Sequence, residues 1–308
     1  MSGEIPEQAS QALRQVVIAE TPFRRFVASF LENKVAVVAL FIFSLILLLA
    51  LFSPWISPQN PYDLAQINII DGRLPPGTQG MSGMTYWLGT DDQGRDILSG
   101  IFYGLRISLW VGVVSNLFAL LIGLVLGLVA AYFSGKIGAL IMRIVDLQLS
   151  FPPILIALIF LAVLGRGTEK VILALIVTQW ARYARIIYAS GLSEREKEYI
   201  EAAKCLALSQ PRIIFRHLLP NCLPPLIVVG SMNVAFSIAL EATLSFLGVG
   251  LPITEPSLGL LIANGYQYIL SGRYWISFFP GVALLIAVGS LNLVTDQLRD
   301  VLNPRLQR

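Results

Sequence analysis

Long apolar stretches with almost no charge restrict the fold of this 308-residue chain more than any other feature. A helix of roughly 20 mostly apolar residues is long enough to cross a bilayer. Because lipid cannot satisfy free backbone N–H and C=O groups, each such stretch is expected to be a helix. The sequence therefore predicts an all-α, polytopic membrane protein with six transmembrane helices. The six stretches are about 35–56, 107–133, 147–164, 171–189, 223–249 and 275–294.

Composition supports a membrane protein and argues against several other classes. Charged residues make up 13% of the chain, against about 25% in soluble domains. A net charge of +3 gives no reason to expect a nucleic-acid partner. The two cysteines form no CxxC pair, and His217 is the single histidine. We therefore expect no metal site and no disulfide.

The distribution of basic residues predicts the orientation. With the N-terminus inside, 16 of the 22 lysines and arginines fall on cytoplasmic segments and 6 on outer ones. Basic residues near span ends favour the cytoplasmic side. Six spans place both termini on one side, so we expect both the N-terminus and the C-terminus in the cytoplasm.

The regions outside the spans define the predicted domain organisation. Apolar residues from Phe23 to Leu31 recur at helical spacing, which favours an interfacial helix over a simple extension of span one. A loop rich in Pro, Gly, Asn and Asp follows that span. We expect a cytoplasmic N-terminus with this helix (1–34), a first transmembrane helix (35–57), a periplasmic loop (58–104), a core of five transmembrane helices (105–298) and a cytoplasmic tail (299–308).

Two stripes inside the spans are candidates for helix contacts or for a site. Small residues recur every four positions from Ser115 to Ala131, which predicts close packing of span two against a neighbour. Span five carries polar residues at the same spacing. An acidic side chain within a span is costly and faces protein or a water-filled cavity. This face borders the translocation path or a subunit interface, or it holds a buried carboxyl bonded to a neighbouring helix. Its residues are Asn233, Ser237, Glu241 and Ser245.

The polar segment 192–220, between spans four and five, is the most informative region, and we call it the 192–220 loop. Residues 193–196 fit a capping box, which predicts a helix start there. Ser209 and Pro211 predict a second short helix that ends at about 218–221. Two short helices would form a knob able to sit in a groove of a partner protein. Composition alone also allows a generic loop.

The 192–220 loop resembles the EAA loop of binding-protein-dependent ABC importer permeases. The resemblance implies the type I ABC importer permease fold and a coupling helix that docks into an ATPase subunit. The family usually has glycine six residues after the glutamate, where this chain has Ala207. The residues that carry the motif are Glu201, Ala202 and Ala203, then Ile214 and the run His217-Leu218-Leu219-Pro220-Asn221. The implied coupling residues are Glu201, Ala202, Ala203, Ala207 and Leu208.

Further segments are similar to the C-type permeases of dipeptide, oligopeptide and nickel importers. They are residues 89–96 with 104–109, residues 241–250, and residues 279–281 with several positions from 292 to 305. The first contains an acidic turn with Asp91, Asp92 and Asp96 around Arg95. The turn lacks the ligand pattern of an EF-hand, so we expect capping and salt bridges there. The resemblance marks Asp91, Arg95 and Asp96 as a periplasmic signature close to a docked substrate-binding protein.

The resemblance implies a permease subunit of an ATP-driven importer that moves di- or oligopeptides across the bacterial inner membrane. The chain has no P-loop, because Ala130 and Ile137 replace the glycine and the Ser/Thr around Gly135-Lys136. We expect no catalytic residue and no bound cofactor, with ATP and Mg on partners. Implied partners are a second homologous permease, two ATPases, a periplasmic or lipid-anchored binding protein, the peptide and membrane lipid.

Three other functions remain open at this stage. An importer of nickel or another small solute would share the same signatures. An ion-coupled secondary transporter would need coupling groups near the midplane, for which Glu241 is the one candidate. A membrane-embedded enzyme would need a convergent catalytic set, and no nucleophile motif is present.

Overall fold

The computed structural model describes residues 22–302 except for the single positions 64, 82, 134, 253 and 256. The described chain is built from α-helices, with one two-stranded antiparallel hairpin, β1 (Thr78–Gln79) and β2 (Thr85–Tyr86). The helices are α1 (Pro22–Glu32), α2 (Lys34–Leu51), α3 (Ser53–Ile56), α4 (Ile97–Tyr132), α5 (Lys136–Leu149), α6 (Pro153–Leu164), α7 (Thr168–Arg195), α8 (Glu198–Cys205), α9 (Gln210–Arg212), α10 (Leu219–Phe246), α11 (Leu258–Tyr266) and α12 (Trp275–Leu302).

Five of these elements are long and apolar enough to cross a membrane: α2, α4, α7, the continuous helix that includes α9 and α10, and α12. The pair α5–α6 passes the same test as a unit but is bent by 90° at its break. The fold is therefore all-α and polytopic, as the sequence predicts. On which side of the membrane the termini lie stays a prediction.

The predicted third span, 147–164, is wrong as a single straight helix. Residues 147–149 belong to the end of α5, and α6 begins at Pro153 with Pro152 as its N-cap. Proline has no N–H to donate and restricts the residue before it, so two consecutive prolines separate the helices. Because α4 ends on one side of the bundle and α7 begins on the other, the bent pair carries the chain across.

Several other boundaries differ from the predicted ones. Helix α4 begins at Ile97, ten residues before the predicted span, and has 36 residues. At about 1.5 Å per residue it is roughly 54 Å long, so it extends beyond the apolar layer. The predicted helix before span one is present as α1, and its position on a membrane surface stays a prediction.

Close packing of α4 against α7 forms the centre of the fold, and it uses the predicted stripe of small residues. A Cβ added at Gly123 would lie 2.4 Å from the Cβ of Tyr183, and one at Gly127 would lie 2.7 Å from the carbonyl oxygen of Ala184. Real Cβ atoms do not approach this closely, so the two helix backbones are in contact only because these positions are glycine. The prediction that this stripe packs against a neighbouring helix is confirmed.

The two ends of the bundle have different structures. The loop face contains the 192–220 loop and the helix ends around it, including Asn33, whose side-chain amide donates to the Gln297 side chain at 2.7 Å. The far face contains the hairpin, α3, α11 and the turn before α4. There the Trp275 indole N–H donates to the Thr90 carbonyl at 3.4 Å, which joins the start of α12 to that turn.

Candidate functional site at the 192–220 loop and the buried polar face

Helix α8 forms the exposed part of the 192–220 loop. It begins after Lys197, and Glu198 and Glu201 stand in its first turn, where the helix dipole favours negative charge. The predicted helix start at residues 193–196 is wrong, because α7 continues to Arg195. The Arg195 guanidinium donates to the carbonyls of Ala131 at 3.0 Å and Tyr132 at 3.4 Å, which fixes the last turn of α7 to the end of α4.

Helix α8 ends in a tight turn that places Ala207 in the left-handed region. The Leu208 N–H donates to the Ala203 carbonyl at 3.2 Å, and the Ala207 N–H donates to the Lys204 carbonyl at 2.9 Å. These are the two hydrogen bonds of a Schellman motif. Ala207 has a φ of 53°, a conformation that glycine adopts most easily. The chain thus keeps the turn although it lacks the glycine that the resemblance leads one to expect.

One face of α8 is anchored and the other is exposed. Ile200 and Ala203 are buried against Ile213, and Leu208 and Tyr132 pack around them. Contact between the residue after the turn and the last helical turn commonly accompanies this motif. Glu201, Ala202 and Ala207 are exposed, and Leu206 is 74% exposed. The predicted coupling residues therefore divide into an exposed set, Glu201, Ala202 and Ala207, and an anchoring pair, Ala203 and Leu208.

The second half of the 192–220 loop continues directly into a membrane helix. Ser209 precedes α9 and Pro211 lies in its first turn, as predicted. A π-helical turn, Ile213–Leu218, then joins α9 to α10 without a break. The predicted end at 218–221 is wrong. Pro220, Pro224 and Pro225 remove N–H donors from this helix, but buried Leu218, Cys222 and Leu226 pack into the core and hold it together.

Tyr199 joins three parts of the loop face. Its hydroxyl donates to the Glu194 carboxylate at 2.7 Å and accepts from the Asn221 amide at 3.1 Å. Burial, together with the Glu194 carboxylate, raises the pKa of Tyr199 to about 12, so the hydroxyl keeps the proton that it donates. The end of α7, the exposed helix α8 and the start of α10 are thereby connected through polar contacts.

The polar face of α10 is buried against α4 and α7. The Ser237 hydroxyl lies 3.0 Å from the Gln179 amide nitrogen, and the Arg182 guanidinium donates to the Asn233 side-chain oxygen at 2.9 Å. The Ser108 hydroxyl donates to one Glu241 oxygen at 2.8 Å, and the Ser245 hydroxyl donates to the other at 2.8 Å. Glu241 is fully buried. This is the geometry of a carboxyl bonded to a neighbouring helix.

The sequence indicated the α10 face but not its partners on the other helices. Gln179 and Arg182 lie on α7 and Ser108 lies on α4. Arg182 was detectable as a charge inside a predicted span, and its guanidinium also stacks on the Phe236 ring at 5.0 Å. Gln179 and Ser108 give no such signal, because single uncharged polar residues are common in membrane helices.

The acidic turn on the far face has the capping and salt-bridging contacts that the sequence predicts. The Arg95 Nε lies 2.6 Å from the Asp91 Oδ2, and both side chains are buried. Asp96 is the N-cap of α4 and accepts from the Ser99 N–H at 2.8 Å. Burial raises the pKa of Asp96, and the hydrogen bonds from Ser99 oppose this rise. Whether a binding protein docks near Asp91, Arg95 and Asp96 stays a prediction.

No group of three or more His, Cys, Asp or Glu side chains in the described residues is arranged to hold a metal ion. Both cysteines are free thiols; Cys205 is exposed and Cys222 is buried. The polar face of α10 forms contacts between helices, and the 192–220 loop presents an exposed protein surface.

Comparison with known proteins defines the class of this chain. Residues 123–308 match the family described as binding-protein-dependent transport system inner membrane component. Residues 21–76 match the N-terminal TM domain of oligopeptide transport permease C. The chain therefore belongs to the family of binding-protein-dependent transport system inner membrane components. Members are permease subunits of ABC transporters and are not enzymes themselves. The family and the apolar helices together identify the chain as a multi-pass inner membrane protein.

Individual relatives are similar over nearly the whole chain. The dipeptide transport system permease protein DppC of Alkalihalophilus pseudofirmus is 35% identical over 98% of this chain and 96% of its own length. The di/tripeptide transport system permease protein DppC of Pseudomonas aeruginosa is 33% identical, covering 94% of this chain and 95% of its own. The oligopeptide transport system permease protein OppC of Bacillus subtilis is 34% identical, covering 91% and 88%.

A solved structure confirms the fold of the core. A chain of the MetNI methionine ABC transporter in an inward-facing conformation matches with a TM-score of 0.55 and 22% identity. The match covers 67% of this chain and 98% of that chain. The importer permease fold expected from the sequence is therefore confirmed.

Proposed function

We propose that this chain is one of two permease subunits of an ATP-driven importer that moves di- and oligopeptides into the cytoplasm. Its relatives over most of the chain are named for dipeptide, di/tripeptide and oligopeptide transport. The structural observation that carries the proposal is the 192–220 loop. Its exposed surface includes Glu201 and Ala202, and its buried face packs on Tyr132 at the end of α4 and on Ile213.

In this proposal the 192–220 loop receives the motion of an ATPase subunit. Glu201, Ala202 and Ala207 form the docking surface, while Ala203 and Leu208 hold α8 against Tyr132 and Ile213. Movement of α8 reaches α4 through Tyr132 and reaches α10 through Ile213, in the continuous helix from Gln210 to Phe246. ATP and Mg are bound by two partner ATPases, and this chain supplies no catalytic residue.

The proposed orientation places the loop face in the cytoplasm and the far face outside. A substrate-binding protein then docks on the far face near the turn that contains Asp91, Arg95 and Asp96. The domain division follows the same polarity, with a cytoplasmic N-terminal segment, a first helix, an outer loop, a five-helix core and a short tail. The excess of basic residues on the loop-face segments supports this orientation.

The polar face of α10 is proposed to act as a joint between helices. Asn233, Ser237 and Glu241 are each bonded to a side chain of α4 or α7, and Ser245 is bonded to Glu241. Buried polar contacts of this kind fix the relative positions of membrane helices. A role in lining the peptide path would require these contacts to open during transport.

The proposal is tested by co-purification and by peptide-stimulated ATP hydrolysis. The full complex is purified through a tag on this chain, from wild type and from Ala202→Trp. Because Ala202 is exposed and helical, tryptophan there leaves the fold intact but obstructs docking. We expect the second permease to be retained and the ATPases to be lost. Peptide-stimulated hydrolysis should fall at least about tenfold, which corresponds to a loss of about 1.4 kcal/mol in docking free energy.

The matched control is Ala65→Trp, which introduces the same side chain at an exposed position on the far face. It should leave the ATPase content unchanged. Retention of the ATPases in Ala202→Trp would place docking elsewhere on the chain. Purification of wild type without any ATPase would contradict the importer function itself and favour an ion-coupled secondary transporter.

A further inference from the structure

A cavity of about 800 Å³ opens near the far face, and we call it the interfacial cavity. Helices α2 and α4 form most of its wall, and Tyr62, Thr168 and Glu255 complete it. The wall is largely apolar. It includes Leu47, Leu51, Ile107, Leu109, Trp110 and Val113.

The polar part of the interfacial cavity contains two opposite charges. Arg106 and Glu255 both line it. In the described part of the chain neither side chain forms an ion pair, so they are not paired with each other. The Thr168 hydroxyl donates to the Glu255 carboxylate, which holds that side chain in place. The cavity thus offers a positive and a negative site at the end of an apolar wall.

Two tyrosines complete the polar part. The rings of Tyr62 and Tyr103 meet edge to face with centroids 5.2 Å apart. Burial and the nearby Glu255 carboxylate raise the pKa of Tyr62, while Arg106 acts in the opposite direction. Tyr62 lines the same cavity as both charges, and its hydroxyl remains a hydrogen-bond donor.

Exposed tryptophans on and near the cavity indicate the expected boundary between lipid and water. Trp55, just after α2, is 77% exposed, and Trp110 on the cavity wall is 63% exposed. Exposed tryptophans mark the headgroup level of membrane proteins. The neighbouring surface of α2 is apolar and exposed, with Phe41 at 70% and Leu48 at 52%. This side of α2 is suited to lipid tails, and the polar part of the cavity is expected at headgroup depth.

We propose that the interfacial cavity binds one phospholipid with an ethanolamine headgroup. An acyl chain lies along the apolar wall, the phosphate accepts from Arg106 and Tyr62, and the primary ammonium donates to Glu255. A phosphocholine head has the same charges but no N–H to donate, and a phosphoglycerol head has no cation to pair with Glu255. The site therefore selects the ethanolamine headgroup through its ammonium N–H donors and its positive charge. This lipid preference does not depend on which solute is transported.

The test measures lipid retention by the purified full complex using native mass spectrometry. Delipidated complex is incubated with phosphatidylethanolamine, phosphatidylcholine or phosphatidylglycerol of identical acyl chains. Loss of one charge-assisted hydrogen bond typically weakens binding about tenfold or more. We expect one phosphatidylethanolamine to be retained about tenfold more tightly than the other two lipids. Equal retention of all three would overturn the proposal.

Variants assign the effect to the cavity. Glu255→Gln keeps an acceptor for Thr168 but removes the charge, so the preference for ethanolamine over choline should disappear. Arg106→Gln should weaken all three lipids. Arg166→Gln, an exposed arginine outside the cavity, should change neither. An unchanged ethanolamine preference in Glu255→Gln, or displacement of the lipid by a dipeptide, would contradict the lipid site.

Discussion

At the scale of single residues, Ala207 is the position where the chain and the turn that it forms disagree. Its φ of 53° lies in a region that costs a residue with a Cβ about 1–2 kcal/mol. The Schellman bonds to Ala203 and Lys204, and the packing of Leu208, maintain this conformation. The strain is therefore stored in the turn that follows the exposed surface of α8.

Replacing Ala207 with glycine should relieve this strain. We expect Ala207→Gly to stabilise the turn by about 0.5–1 kcal/mol, the strain minus the greater chain entropy of glycine. Hydrogen exchange of the amides in α8 should slow accordingly. The matched control is Ala202→Gly in the right-handed interior of α8, which should cost about 1 kcal/mol. The same sign for both substitutions would contradict the strained turn.

The sequence predicted part of this local structure and missed part of it for physical reasons. Ser209 and Pro211 predicted α9, because the preference of such residues for a helix start depends only on the first turn of that helix. The capping box at 193–196 failed because contacts with α4, about 60 residues away, extend α7 through these residues. The left-handed turn was not predictable from Ala207 itself, because alanine does not favour that conformation.

At the scale of helices, the joint between α10 and α4 depends on Glu241. Its two oxygens accept from Ser108 on α4 and from Ser245 on its own helix. The polar spacing on α10 predicted this face, since four-residue spacing is a property of one helix. The partners on α4 and α7 could not be predicted, because which helices become neighbours depends on the packing of the whole bundle.

Removing the Glu241 carboxylate should weaken the bundle more than it alters peptide recognition. Glu241→Leu leaves two buried hydroxyls without their acceptor, so we expect a loss of about 1–3 kcal/mol in the stability of the solubilised complex. Thermal unfolding measures this. The peptide concentration for half-maximal ATPase stimulation should not change. Glu169→Leu, at an exposed position in α7, is the control. Unchanged stability with weaker peptide stimulation would assign Glu241 to the pathway.

Helix lengths show a second limit of the sequence. Apolar stretches identified the five helices that are long and apolar enough to cross by themselves, because the bilayer requires such stretches. They did not give the ten additional residues of α4 on the far face or the 90° bend between α5 and α6. Arg106 ends the charge-free stretch, so residues 97–106 were not counted with it although they belong to the same helix. The angle at a break depends on what the two halves pack against.

At the scale of the whole molecule, the two faces make the orientation testable with native cysteines. Cys205 is exposed on the loop face and Cys222 is buried. A membrane-impermeant maleimide should label inside-out vesicles and leave intact cells unlabelled. Cys205→Ser should abolish the labelling, which assigns it to that thiol. Labelling of Cys205 from outside intact cells would reverse the proposed orientation.

The continuous helix from the loop face into the membrane has a mechanical consequence. Residues 210–246 form one uninterrupted helical element of 37 residues, roughly 55 Å long at 1.5 Å per residue. This helix has no flexible segment where it enters the membrane, so it transmits motion as a rigid lever. A displacement imposed at Gln210 would produce a smaller displacement at Phe246, because the fixed contacts lie near the far end of the helix. The bonds of Glu241 and Ser237 would then act as its fulcrum.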